Sequence, residues 1–106
     1  MKSITRIEEI IMLSILNLGA NAYLVSILGY VSKTLGKSVS LTSVHLPLSR
    51  LEKNGYLESS FGDATPVRGG RRKKIYSISK TGLQALEEYR NISNKLWDSY
   101  LKTETR

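Results

Sequence analysis

The sequence predicts a mainly α-helical protein with one small β-hairpin, a winged helix-turn-helix followed by a C-terminal helix. Two observations support this fold class. Apolar residues recur at the i, i+3, i+4 spacing of helices through most of the 106 residues. Between residues 56 and 78, two extended runs instead flank a loop that contains Pro66 and several glycines, which is the pattern of a hairpin. A chain of this length is expected to form one small domain.

The first helix is expected over about residues 5–18. Thr5 and Glu8 have the spacing of a capping box, in which each side chain accepts a hydrogen bond from the other residue's backbone N–H. Gly19 is a natural stop after the last apolar residue of this helix. Asn21 is then expected to cap the second helix.

The second helix is expected to end at Gly36. Gly29 inside it is interpreted as a place where another helix crosses closely, since glycine otherwise costs a helix about 1 kcal/mol against alanine. The third helix is expected to be capped by Ser40 or Thr42. Pro47 removes one backbone donor from this helix, so the sequence predicts either a late start or a bend there.

A β-hairpin is expected next, with strands over residues 56–61 and 72–78 and a loop over residues 62–70. Residues 79–82 then open a last helix, whose apolar positions continue at helical spacing. The order of three helices, two strands and one helix is that of a winged helix-turn-helix. Its second and third helices form the helix-turn-helix, and its hairpin is the wing.

The third helix is the element expected to read DNA, because in this fold it enters the major groove while other elements hold the backbone. Its outward residues include Leu46, and the others are polar or basic and can bond base edges or phosphates. The candidate contacts are Thr42, Ser43, His45, Ser49, Arg50 and Lys53. The alternative for Arg50 is that it only pairs with a nearby acid such as Glu52 or Glu9.

The positive charge of the chain is concentrated in one short segment at the predicted tip of the hairpin. Residues 68–74 hold five arginines and lysines, and subtracting these five from the formal net charge of +7 leaves only +2 for the rest of the chain. Clustered cations beside flexible glycines suit a phosphate backbone, whereas the alternative is a solvated charge run. The candidate phosphate or minor-groove contacts are Arg68, Arg71, Arg72 and Lys73.

The inventory of reactive residues argues against catalysis. The chain has no cysteine and one histidine, which excludes disulfides, thiolate metal sites and cysteine nucleophiles. We therefore expect no enzyme activity, no metal and no cofactor. No apolar stretch is long enough to span a bilayer and no secretion signal is found, so we expect a cytoplasmic protein without membrane contact.

The last helix carries more apolar surface than a free helix would tolerate in water. The residues concerned are Leu86, Tyr89, Leu96, Trp97 and Tyr100. We expect them to form the interface of a homodimer, because a small monomer offers little surface to cover so long a helix. The alternative is that they pack on the first helix of the same protomer.

Several segments together resemble the PadR family of phenolic-acid-responsive transcriptional repressors. They are a Leu-x-Arg-Leu-Glu-x-x-Gly core over residues 48–55, an Arg-Gly-Gly-Arg wing over residues 68–71, and Ser-Lys-Thr-Gly over residues 79–82. Ala22-Tyr23 matches the family's glycine-tyrosine position, and Tyr23 is counted among the DNA contacts there. The single C-terminal helix is similar to that of the short members of the family.

The resemblance implies a dimeric, sequence-specific DNA-binding regulator of transcription, a repressor. It also implies that the last helix dimerises with the first helix, with an effector in the hydrophobic space between protomers. Trp97 then either lines that space or only anchors the interface. The alternative function is a winged-helix adaptor that binds proteins and not DNA, which would call for a wing poor in arginine.

Overall fold

The computed structural model describes residues 2–62 and 72–104. The elements in these two ranges are α1 (Arg6–Leu18), a 3-10 turn (Gly19–Asn21), α2 (Leu24–Leu35), α3 (Leu41–Lys53), β1 (Leu57–Phe61), β2 (Lys74–Ile78) and α4 (Lys80–Glu104). This order confirms the predicted fold class, a winged helix-turn-helix with a C-terminal helix. The hairpin strands are slightly shorter than expected, since β2 begins at Lys74 and not at Arg72.

The start of α1 follows its sequence signal closely. The Thr5 hydroxyl accepts from the Glu8 N–H at 3.2 Å, and the Glu8 carboxylate accepts from the Thr5 N–H at 2.8 Å. The predicted capping box is therefore confirmed. The helix ends at Gly19, whose φ of 58° favours a residue without a side chain.

The start of α2 was predicted wrongly. Residues 19–21 continue as a 3-10 turn, so Asn21 cannot be the cap, and Tyr23 takes that position. The Tyr23 N–H donates to the Ser26 hydroxyl at 3.0 Å, which satisfies a backbone group at the helix start. The end of α2 agrees with the prediction, because Gly36 adopts the left-handed conformation with φ 70°.

The expectation of a close helix crossing at Gly29 is also wrong. Among the described residues, no atom apart from the adjoining backbone of α2 and the two chain neighbours lies within 4 Å of the position that a side-chain carbon would take there. Gly29 is exposed, whereas Ile27 and Val31 on the other side of α2 are fully buried. The glycine therefore faces solvent and not a neighbouring helix.

The third helix begins at Leu41 and is capped by Ser40, whose hydroxyl accepts from the Ser43 N–H at 3.2 Å. Pro47 lies inside the helix and is buried. The late start predicted as one of two alternatives is therefore wrong. The helix begins six residues before Pro47, and Pro47 lies on the side of α3 that packs against the rest of the protein.

The hairpin is tied to the start of α2 as well as paired with itself. β1 and β2 are antiparallel, with Leu57 opposite Ile78. The Tyr76 N–H donates to the Ala22 carbonyl at 2.8 Å, so the segment before α2 lies along β2. The base of the wing is thereby fixed against the helix-turn-helix.

The core lies among the first three helices and the hairpin. Its buried residues from these elements include Ile11, Met12, Ile15, Ile27, Val31, Val44, Leu48, Leu51, Leu57 and Tyr76. The start of α4 adds Ala85 and Leu86, but from residue 90 to residue 103 every position except the half-buried Ser93 is exposed. At 1.5 Å per residue, the 25 residues of α4 span about 37 Å. The helix therefore projects well beyond the core.

Within the described ranges, no helix is both long and apolar enough to cross a membrane.

Candidate nucleic-acid interface

The exposed side of α3 carries all the residues predicted to contact DNA from this helix. Its buried side is formed by Val44, Pro47, Leu48 and Leu51. The outer face of α3 is defined here as the exposed residues Thr42, Ser43, His45, Ser49, Arg50 and Lys53. These six residues are polar or basic and present hydrogen-bonding groups and positive charge to the solvent, and Leu46, which is 53% exposed, lies among them on the same side of α3.

Arg50 pairs with a different acid from the two considered in the sequence. Its Nε lies 3.5 Å from Oε2 of Glu8, at the start of α1. Glu9 pairs with Arg6, and Glu52 with Lys74. The Arg50 side chain remains 53% exposed, so the pairing leaves much of the guanidinium accessible.

Lys74 belongs to the basic segment of the sequence but is engaged inside the protein. Its Nζ lies 2.8 Å from Oε1 of Glu52, and the Ser59 hydroxyl donates to the other oxygen of that carboxylate. The hydrogen bond from Lys74 lowers the pKa of Glu52, with a smaller contribution from Ser59. The same contact raises the pKa of Lys74. The positive charge of Lys74 is therefore largely neutralised by the carboxylate of Glu52 and adds little to the positive potential of the wing.

The other described cations of the basic segment lie at the outer end of the paired strands. Arg72 donates from Nε to the Gly62 carbonyl at 2.9 Å and from Nη2 to the Phe61 carbonyl at 3.3 Å. Both Arg72 and Lys73 are exposed. Arg68 and Arg71 were predicted as contacts too and lie outside the described residues.

Tyr23 and Lys73 are brought together although 50 positions separate them in the chain. The Lys73 Nζ lies 4.0 Å from the centroid of the Tyr23 ring, a cation–π contact. Tyr23 also caps α2, so this contact places a wing cation beside the start of that helix. Tyr23 and Lys73, which were both predicted to contact DNA and belong to different parts of the fold, therefore lie on one surface.

The residues predicted for dimerisation divide into two groups. Leu86 is 5% exposed and Tyr89 is partly buried, and both pack on the core of their own protomer. Leu96, Trp97 and Tyr100 are exposed, and the rings of Trp97 and Tyr100 meet edge to face at 6.2 Å. These three residues, with Leu101, form the distal patch of α4.

No protein-family model matches the chain, and no curated protein sequence matches it. Solved structures do match. A PadR-like transcription factor from Bacteroides fragilis superposes with a TM-score of 0.72 at 21% identity, covering 92% of this chain and 88% of that one. A PadR-like transcriptional regulator from Bacillus cereus gives 0.70 at 22% identity, with 94% and 92% covered.

The chain has the fold of PadR-like transcriptional regulators. A further match is BpsR of Bordetella bronchiseptica, whose DNA binding is regulated by 6-hydroxynicotinic acid. It superposes with a TM-score of 0.65 at 18% identity over 92% of this chain and 64% of that one. The proteins from Bacteroides fragilis and Bacillus cereus are regulators of transcription. Among the residues that the structure describes here, no group of His, Cys, Asp or Glu is placed to hold a metal ion.

One feature of this PadR-like fold was missed in the sequence. Leu13 and Leu16 of α1 are exposed and line a groove of about 250 Å³ with Leu83 and Leu86 of α4. The sequence did contain a signal for this groove. Leu13 and Leu16 lie outside the buried, core-facing stripe of α1 that Ile11, Met12 and Ile15 form. An exposed apolar pair outside the core-facing stripe is a candidate interaction surface.

Proposed function

We propose that the chain is a homodimeric, sequence-specific DNA-binding regulator of transcription in the cytoplasm, and that it acts as a repressor. The observation that carries this proposal is the outer face of α3, six exposed polar or basic residues on a helix whose opposite side is buried. The fold shared with PadR-like regulators supports the same function. The formal net charge of +7 favours attraction to a polyanion.

The DNA contacts are proposed to be of two kinds. The outer face of α3 enters the major groove and reads base edges, because its hydroxyls, imidazole and guanidinium match the donors and acceptors exposed there. Tyr23, Arg72 and Lys73 hold the phosphate backbone, together with Arg68 and Arg71. Phosphate contacts fix the position of the protein on the duplex and carry little sequence information.

Dimerisation is proposed to use the apolar surfaces that the core leaves uncovered. The distal patch of α4 and the α1–α4 groove are both exposed and both lined by leucine. The patch of one protomer would cover the groove of its partner across a two-fold axis. This pairing would remove the large exposed leucines and Trp97 from water. A dimer can then engage two half-sites at once, which raises the apparent affinity.

A small aromatic or hydrophobic effector is proposed to release the DNA. Ser93, Leu96, Trp97 and Tyr100 line a shallow, open depression along one face of α4. Such a lining offers flat apolar contacts with one hydroxyl from Ser93 and one from Tyr100, which suits a ring with a polar group. The regulation of BpsR by 6-hydroxynicotinic acid is a precedent in a protein of similar fold.

The test is a pair of affinity series at several salt concentrations. One duplex is selected by the protein from a random library, and the other is a scrambled duplex of equal length. We expect binding to both duplexes to weaken steeply with salt, since phosphate contacts release counterions, and the selected duplex to bind more tightly at every salt concentration. An affinity that does not change with salt concentration contradicts DNA binding and favours the winged-helix adaptor instead.

A further inference from the structure

We propose that Glu8 is a positioning residue for DNA recognition, which holds the guanidinium of Arg50 in the orientation that reads a base. The inference rests on the proposed DNA-binding function. Glu8 lies on α1, whereas Arg50 belongs to the outer face of α3. The residue would thus act on recognition without contacting DNA itself.

The surroundings of Glu8 give each carboxylate oxygen its own partner. Oε1 accepts from the Thr5 N–H at 2.8 Å, and Oε2 lies 3.5 Å from Arg50 Nε. The Glu8 side chain is only 7% exposed, so water supplies little of its solvation. A buried carboxylate needs a compensating cation. Arg50 is the cation that the described residues provide.

The contact uses the part of Arg50 that is least needed for DNA. Nε faces Glu8, while in the described residues the two terminal nitrogens have no hydrogen-bond partner. A guanidinium is rigid and planar, so holding Nε restricts the direction of the terminal N–H groups. A bidentate contact to guanine depends on that direction, whereas attraction to a phosphate depends mainly on charge. The expected effect of Glu8 is therefore on specificity more than on overall affinity.

The capping role of Glu8 can be separated from its role toward Arg50. Glutamine serves as well as glutamate at the third position of a capping box, because its side-chain oxygen accepts the same backbone N–H. Glu8→Gln therefore keeps the contact with Thr5 and removes the charge that faces Arg50. Glu9→Gln is the matched control, since it removes one negative charge from the same turn of α1, where Glu9 pairs with Arg6.

The measured quantity is the ratio of affinities for the selected and the scrambled duplex. We expect Glu8→Gln to lower this ratio by about five-fold or more, the lower end of what a bidentate contact contributes. Glu9→Gln should leave the ratio unchanged, because a change of overall charge acts on both duplexes alike. Thermal unfolding of each variant checks that the fold is retained.

One further variant keeps the test decisive if Glu8→Gln folds poorly, and a double variant tests whether Glu8 acts through Arg50. Arg50→Lys retains the charge of an exposed side chain but has neither Nε nor the two terminal guanidinium nitrogens, and it should lower the ratio at least as much as Glu8→Gln. In an Arg50→Ala background, Glu8→Gln should have no further effect on the ratio. An unchanged ratio in Glu8→Gln or Arg50→Lys overturns the positioning role, as does an undiminished effect in the Arg50→Ala background. A wild type that binds DNA without preferring the selected duplex contradicts the proposed function instead.

Discussion

The ammonium nitrogen of Lys74 lies 2.8 Å from Oε1 of Glu52, and this contact joins the second strand of the wing to the last turn of α3. Ser59 on the first strand donates to the same carboxylate. The third helix and both strands of the wing therefore meet at one acidic side chain. The angle between helix and wing is restrained by polar contacts as well as by the core.

The first prediction separates two neighbouring lysines. Lys73→Met should lower the slope of log affinity against log salt by roughly 0.9 for each phosphate that a protomer no longer neutralises. Lys74→Met should leave the slope nearly unchanged, because Lys74 already balances Glu52. Both variants remove one positive charge from adjacent positions, so each controls for the other. An equal decrease of slope in the two salt titrations would show that Lys74 also contacts phosphate.

The second prediction concerns the pH dependence of stability. In the folded protein the pKa of Glu52 lies below its ordinary value of 4.5. Its contribution to folding stability is therefore fully present above pH 4.5 and is lost as the pH falls through the lower pKa of the folded state. Lys74 has a pKa above its ordinary value of 10.5, so its contribution is present below 10.5 and is lost as pH rises through the higher folded pKa. The contact is therefore complete at neutral pH.

We expect Glu52→Gln to unfold more easily than wild type in urea at neutral pH, with the difference shrinking in acid below the ordinary pKa of glutamate. Glu58→Gln is the control, since Glu58 is an exposed carboxylate on the same strand as Ser59. A difference between Glu52→Gln and wild type that persists unchanged into acid would contradict an ionic origin.

The third prediction compares two glycines within helices. A methyl group at Gly82 would overlap the Tyr56 carbonyl oxygen and lie 3.1 Å from a methyl of Ile78. Gly82→Ala should destabilise the protein by about 1–3 kcal/mol, the usual effect of overpacking. A methyl group at Gly29 would extend into open space, so Gly29→Ala should stabilise the folded protein by about 0.5–1 kcal/mol. Urea unfolding at one fixed protomer concentration measures both, and a destabilised Gly29→Ala would refute the solvent-facing placement.

The fourth prediction concerns the distal patch. Changing Leu96 and Trp97 together to glutamate should give a monomer in light scattering at micromolar concentration, because charges there oppose apolar burial. Affinity for the selected duplex should fall about 100-fold or more, since a monomer engages only one half-site. Glutamate at Asn94 and Ser99, exposed polar positions of the same helix, is the control and should leave the dimer intact. A monomeric wild type would rule out this mode of assembly.

Local signals made much of the fold predictable. The Thr5–Glu8 capping box and the left-handed Gly36 depend on residues close together in the chain, and both were identified correctly. The wrong cap at Asn21 shows the limit of such signals. The hydroxyl that completes the cap comes from Ser26, and the 3-10 turn before it is held by the contact of Ala22 with Tyr76 on the wing.

The details of the candidate site depended on distant parts of the chain. The sequence identified the outer face of α3 because helical spacing separates exposed from buried positions. It could not show that Arg50 meets Glu8 or that Lys74 meets Glu52, since those pairings arise when separate elements pack. Leu86 and Leu96 both lie on the apolar stripe of α4, yet only Leu86 reaches the core. Periodicity describes a helix face and not how far along the helix the protein covers it.

Trp97 is the only tryptophan in the chain, and in the protomer its side chain is largely in contact with water at 60% exposure. Excitation of indole therefore reports on one position at the far end of α4. Burial of that ring by a partner protomer would shift its fluorescence emission to shorter wavelength and shield it from iodide. Dilution would reverse both changes. The protein thus contains its own optical probe for the proposed dimer, and the measurement needs no attached dye.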